Sequence, residues 1–217
     1  MVKIQKDVFW KAAIITVIVF LFGVGLGYSL ENSRIDDVRD EYQNIELQWA
    51  DAKLQSLYYQ FLSPESCDAA IQENLRFSDK VYVEGLKLER YENANQLLNK
   101  MTYEKRKYAL LKVEFWLNSV NLKEKCGADY VNLLYFYIND PEIVSKSEQD
   151  TQSVILKTLK DEMGSKLMLI PLPFDMDIAT INIIKNTYNI TTTPTILINE
   201  KIRLEGLQSL EDLRQNL

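Results

Sequence analysis

The stretch NITTTPTILINEKIRLEG, Asn189 to Gly206, decides how the C-terminal half of this chain is read. Three threonines and Pro194 lead into a short apolar, β-branched run, Thr195 to Ile198. Asn199 and Glu200 then make a tight turn, and KIRLEG returns as a second short run ending at Gly206. The pattern predicts a β-hairpin. A proline can open a strand because the first residue need not donate an N–H to the ladder, so Pro194 belongs at the mouth of the hairpin.

Working outward, the period alternates between strand and helix. YVNLLYFYIN (130–139) reads as an apolar and aromatic strand. SEQDTQSVILKTLKDEM (147–163) has helical spacing through Val154, Ile155, Leu159 and Met163, and KLMLIPLPFD (166–175) reads as a second strand. DIATINIIKNTYN is the next helix, and SLEDLRQNL closes the chain as a last one. The order over residues 128–217 is βαβαββα, an α/β arrangement.

TTTPTILIN, Thr191 to Asn199, resembles the loop of the thioredoxin-like fold family in which a threonine precedes a cis-proline at the start of the third strand. Gly206 is similar in place to the family's glycine after the hairpin. The resemblance implies a thioredoxin-like domain at 128–217, a cis Thr193–Pro194 bond, and a groove beside it that binds extended protein or peptide. In that family a C-x-x-C opens the first helix, where the helix N-terminus lowers the thiol pKa. The matching window here, INDPEIVSKSEQDTQ (138–152), holds no cysteine. Ser145, Lys146, Ser147 and Gln149 occupy it as a degenerate active-site window, and neither hydroxyl nor amide can form a mixed disulfide. No residue is assigned a catalytic role, and a serine nucleophile would have only Lys146 as its base.

Residues 31–127 read as helical. SRIDDVRDEYQNIELQWADAKLQSLYYQFL places Ile35, Val38, Tyr42, Ile45, Trp49 and Ala52 on one seam, which then shifts to Leu54, Leu57, Tyr58 and Phe61. The seam suits either a stalk that pairs two copies or a helix docked on its own domain. SPES starts a new helix with Ser63 as cap and Pro64 first; Ile71, Leu75, Val81 and Leu88 are its core candidates. A further helix, capped by Thr102 and ended by Gly127, carries Tyr108, Leu111, Val113, Phe115, Trp116 and Val120 as apolar positions. Cys67 and Cys126 flank these two helices and lie outside the window. They suit a structural bridge, a pair of unpaired buried thiols, or a non-adjacent redox pair, and their even number favours the bridge.

AAIITVIVFLFGVGLGYSL, Ala12 to Leu30, is uncharged and long enough to span a hydrocarbon core as a transmembrane helix in contact with lipid. A signal peptide is the rival, but no A-x-A-like site follows. Gly23 and Gly27 form a GxxxG. Lys3, Lys6 and Lys11 precede the span and an acidic flank follows it. The expected topology is therefore a cytoplasmic N-terminus at 1–11, a single pass at 12–30, helical segments at 31–127 and the C-terminal domain outside the cell membrane.

The net charge of −6 offers no basic field for nucleic acid, and the absence of histidine removes the commonest zinc ligand and proton shuttle. No cofactor or metal site is expected. Asp175 and Asp177 read as a capped turn, and Asn189-Ile190-Thr191 is a glycosylation sequon. These residues point to a membrane-anchored binding or scaffolding module and lean away from catalysis. The alternatives are a thiol–disulfide oxidoreductase or isomerase using Cys67 and Cys126, and a structural subunit of a membrane complex.

Overall fold

The computed structural model describes residues 6–94 and 101–217; the side chains of 6–8, 31–46, 87–94 and 101–104 fall outside that description. The chain divides into two units, Met1–Asn44 and Ile45–Leu217. In the first lies the apolar part of α1 (Lys6–Tyr59). Its segment Phe9–Leu30, of mean hydropathy 2.3, is the one stretch among the described residues long and apolar enough to cross a membrane. A membrane anchor and a signal sequence share those properties. None of the segment is buried within the chain. It starts at Phe9 rather than Ala12 and so takes in Lys11, whose long stem lets the charge reach outward.

In the second unit α1 ends at Tyr59, and a single 3-10 turn at Pro64–Ser66 leads into α2 (Cys67–Ala94) and then α3 (Met101–Cys126). Next come β1 (Val131–Tyr137), α4 (Ile143–Met163), β2 (Leu167–Pro173), α5 (Ala179–Thr187), β3 (Thr195–Ile198), β4 (Ile202–Glu205) and α6 (Leu210–Gln215). Four strands form one mixed sheet in the order β2-β1-β3-β4. β1 runs parallel to β2, with Val131 opposite Leu167 and Tyr137 opposite Pro173; it runs antiparallel to β3, with Leu133 opposite Ile198 and Phe136 opposite Thr195. β3 and β4 are antiparallel, pairing Ile198 with Ile202.

The sequence explains these positions. β1 is buried from Asn132 to Phe136, as a central strand covered on both faces must be. β2 carries Pro171 and Pro173, which cannot donate to a ladder and so suit a strand at the sheet's edge. Asn199 and Glu200 both adopt positive φ, 49° and 58°, the backbone of a two-residue hairpin turn whose twist matches the strands.

On one face of the sheet Leu133, Tyr135, Ile196 and Ile198 pack with Leu156 and Leu159 of α4 and Leu213 of α6. The alternate residues Leu134 and Phe136 are equally buried and point to the other face. Each such leucine or phenylalanine contributes about 1.5–3 kcal/mol by leaving water. α6 starts with a capping box between Ser209 and Asp212.

α3 is buried nearly all round: Leu111, Val113, Phe115, Trp116 and Leu122, but also Asn118 and Ser119. Its polar side chains are used. Asn118 Nδ2 donates to the carbonyl of Ala52 in α1 (2.8 Å), and Ser119 Oγ accepts from Asn74 of α2 (3.0 Å). The helix is already formed at Met101, so Thr102 lies in its first turn instead of capping it.

α1 corrects the sequence reading beyond Ala52. Leu54, Leu57, Tyr58 and Phe61 are exposed, and the inward face is Gln48, Ala52 and Tyr59. The reason is that the 3.6-residue period simply continues through the polar side chains, and α3 bonds to the backbone at Ala52 on that face. Ile35, Val38, Tyr42 and Ile45 lie outside the described side chains, as does Leu88 of α2, whose Val81 is buried while Ile71 and Leu75 are half-buried. Cys67 and Cys126 form a disulfide with Cα atoms 5.5 Å apart. It sits beside a small cluster of Tyr59, Ala70 and Leu122 that closes the end of α1 onto α2 and α3.

Candidate functional site

The C-terminal end of β1 gathers the residues singled out by sequence. Phe136 is paired with Thr195, so the register puts Pro194 beside Tyr137 at the point where β1 runs out into the loop before α4. The Thr193–Pro194 peptide is cis. Pro194 is buried, Thr193 half-buried, and Thr191 and Thr192 exposed. The loop is held from within: Thr195 Oγ1 donates to the carbonyl of Thr192 (2.7 Å), and the N–H of Gly206, at φ +76°, donates to the carbonyl of Pro194 (2.8 Å). A left-handed backbone of that kind is why glycine stands after the hairpin.

The opposing wall is the loop from Ile138 to Glu142 and the first turns of α4. Asp175 builds it, accepting the N–H of Asn139 at 2.8 Å and that of Asp140 at 3.4 Å. Lys105 Nζ reaches in from α3 to Asn139 Oδ1 (3.2 Å). Asp177 accepts from Asn182 Nδ2 through its carboxylate (3.0 Å) and from Arg106 through its carbonyl. Both aspartates are therefore spent on turns. Among the described residues no group of three or more His, Cys, Asp or Glu is placed to hold a metal.

The four window residues do not act together. Gln149 is buried, and its amide braces the strand exit from both sides: Oε1 accepts the Ile138 N–H at 2.5 Å and Nε2 donates to the Ile138 carbonyl at 3.2 Å. Ser145 is half-buried, while Lys146 and Ser147 face solvent, with the Ser147 carbonyl accepting from Thr151 Oγ1. No two of them are joined as nucleophile and base. Burial keeps the nearby Tyr135 phenol well above its ordinary pKa, so it stays protonated throughout the neutral range.

Two residues that sequence reasoning passed over are the most prominent feature of this end of the sheet. Ile143 and Val144, in the first turn of α4, are 89% and 74% exposed. Their signal was available: an apolar pair directly after Pro141-Glu142 that falls off the Gln149, Gln152, Leu156, Leu159 stripe of buried α4 positions. Exposed residues here are the apolar Ile143 and Val144 of α4 and, on the proline loop, Thr191 and Thr192, while Gln149 braces the exit of β1 from a buried position. Among the described residues this end of the sheet holds no thiol, imidazole or metal set for bond-breaking chemistry.

The two cysteines lie elsewhere. Cys126 precedes the first residue of β1, whereas Pro194 adjoins the last, so about 20 Å of strand at ~3.3 Å per residue separates the disulfide from the proline loop.

No protein-family model and no curated protein matches the chain. Among solved structures, a malarial protein is similar over 40% of this chain and 91% of its own, at 20% identity and a TM-score of 0.32. Chloroplastic thioredoxin z is similar over 42% of this chain and 77% of its own, at 16% identity and a TM-score of 0.33.

Proposed function

We propose that the chain is a membrane-anchored thioredoxin-like protein without thiol chemistry, acting as a binding or scaffolding module on the outer side of the cell membrane. The fold reading rests on the βαβαββα order from Val131 to Gln215, the strand order β2-β1-β3-β4 and a cis-proline at the entry to β3. The observation that carries the functional reading is the start of α4. Where the resemblance calls for a reactive cysteine there is none, and the buried Gln149 is bonded to backbone on both sides. What remains is the surface of Ile143, Val144 and the Thr191–Pro194 loop, and we assign polypeptide binding to it. Phe9–Leu30 is the anchor, with Lys3, Lys6 and Lys11 holding the short N-terminus in the cytoplasm.

The oxidoreductase alternative requires Cys67 and Cys126 to serve the proline loop from the other end of β1. An insulin-reduction and refolding-oxidase assay separates the readings. The full chain in detergent should give the same rate as its Cys67→Ser, Cys126→Ser variant, because exchange needs an accessible thiolate at the binding surface. In parallel, a thiol-free unfolded polypeptide should slow backbone hydrogen exchange at Thr193 and Ile143. Turnover that vanishes in the double variant would replace the binding module by the enzyme.

A further inference from the structure

Asn189-Ile190-Thr191 meets the rule for N-linked glycosylation, Asn-x-Ser/Thr with x other than proline, and the turn it occupies leaves the acceptor amide unused. Tyr188 and Ile190, on either side of Asn189, turn inward. The Tyr188 ring meets that of Trp116 edge-on at 6.2 Å, and Ile190 is buried. Asn189 and Thr191 are exposed. Asn189 takes a left-handed backbone, φ 53°, which asparagine tolerates better than most residues with a side chain. Its main chain is fixed: Arg203 of β4 donates from Nη1 to the carbonyls of Asn189 (2.6 Å) and Tyr188 (3.3 Å), and the Ile190 N–H donates to the Lys185 carbonyl (2.8 Å). The other left-handed asparagine, Asn199, spends its side-chain oxygen on Lys123 and on the N–H of Asn132. The side-chain amide of Asn189 is engaged in no hydrogen bond among the described residues.

We propose that Asn189 carries an N-linked glycan. The inference rests on the topology given under the proposed function, with the C-terminal domain outside the membrane, and on no other part of that reading. The co-reactant is an oligosaccharide held through phosphate on an isoprenoid lipid. Asn189 Nδ2 attacks the anomeric carbon, and the carbon–nitrogen bond forms as the bond from that carbon to the phosphate oxygen breaks. The lipid phosphate leaves with the electron pair, and the amide gives up one proton to a base of the transferring enzyme. Ile190 is buried in the folded chain, so transfer precedes its packing. Afterwards the sugar stands on an exposed residue whose amide has no bond to lose, and the fold keeps every contact of the turn. An asparagine present only for its left-handed backbone needs no threonine two residues on, and glycine makes the same turn without strain. The tie to Arg203 roots the glycan next to β4, the outer strand of the sheet, and just before the exposed Thr191 and Thr192 of the proline loop. A bulky hydrophilic chain at that point borders the surface assigned to polypeptide.

The test is intact-mass measurement and peptide mapping of the full chain, extracted in detergent from cells that attach N-linked glycans to their exported proteins. A mass excess made of whole sugar residues is expected, carried on the peptide that contains Asn189. It should be lost in Asn189→Gln and in Thr191→Val, and kept in Thr191→Ser, which preserves the triplet. A further variant separates a wrong site from a wrong topology. Leu207→Asn, built on Asn189→Gln, completes a triplet with Ser209 at an exposed loop position. Sugar at position 207 of that variant, with none on Asn189 of the unaltered chain, overturns the proposal and leaves the topology standing. Absence of sugar at both positions overturns the proposal together with the topology it rests on.

Discussion

Gln149 shows how much one side chain can settle. Its amide satisfies both backbone groups of Ile138 at the point where β1 leaves the sheet, and it does so from a buried position. Gln149→Leu keeps the volume but strands an N–H and a carbonyl, so it should lower stability by about 2–4 kcal/mol in a denaturant titration. Ser147→Ala, two residues earlier and exposed, should stay within about 0.5 kcal/mol. Tyr59 makes a second residue-scale case. Burial, then the charges of Glu73 and Asp51, push its phenol up to about 12. An unfolded tyrosine titrates near about pH 10. Between those values the folded state holds the extra proton, so stability falls as pH rises past about 10. Tyr59→Phe should lose part of that alkaline slope when denaturation midpoints are compared at about pH 9 and about pH 11. Tyr108, Tyr130, Tyr135 and Tyr188, which burial shifts the same way, contribute to the slope that remains.

Among the elements, the β3–β4 hairpin was the most legible and α1 the least. Pro194, the apolar run after it and the Asn199-Glu200 turn name a hairpin because each local preference agrees with the next. The turn also docks α3, which local signals do not reveal. Glu200 Oε1 accepts from Trp116 Nε1 at 2.7 Å and from Asn132 Nδ2 at 3.2 Å, and Lys123 Nζ reaches Asn199 Oδ1 at 2.7 Å. Glu200→Gly therefore sets two effects against each other. Relief of the left-handed backbone gains about 1 kcal/mol. Loss of the acceptor shared by two buried donors, Trp116 and Asn132, costs about 2–4 kcal/mol. The net expectation is a destabilisation of about 1–3 kcal/mol, with a change in Trp116 fluorescence reporting looser packing of α3. In α1 the apolar residues past Ala52 misled, because a hydrophobic side chain marks a face to be covered without saying what covers it.

At the scale of the whole molecule, the Cys67–Cys126 bridge joins the start of α2 to the end of α3 and encloses a loop with a sequence separation of 59. On the chain-entropy account, closing a loop of that length stabilises by roughly 4 kcal/mol. The Cys67→Ser, Cys126→Ser variant should lose about that much, read as a lower denaturation midpoint, without altering the sheet. Orientation at the membrane is tested separately. Protease added to cells stripped of any wall should remove the C-terminal domain if the anchor and its lysines act as proposed. Protection there, with cleavage in inverted vesicles, would reverse the topology.

The sequence alone determined the apolar span, the alternation of strand and helix from Tyr130 onward, and the absence of cysteine from the window before α4, since each is a property of local composition or period. Tertiary structure decided what no local period encodes. It turned Gln149 inward to brace Ile138 while leaving Ile143 and Val144 bare, set the disulfide and Pro194 at opposite ends of β1, and chose which face of α1 meets α3. The physical reason is the same in each case. Periodicity says which residues can share a face, but which face is buried depends on partners distant in sequence and on the hydrogen bonds those partners can complete.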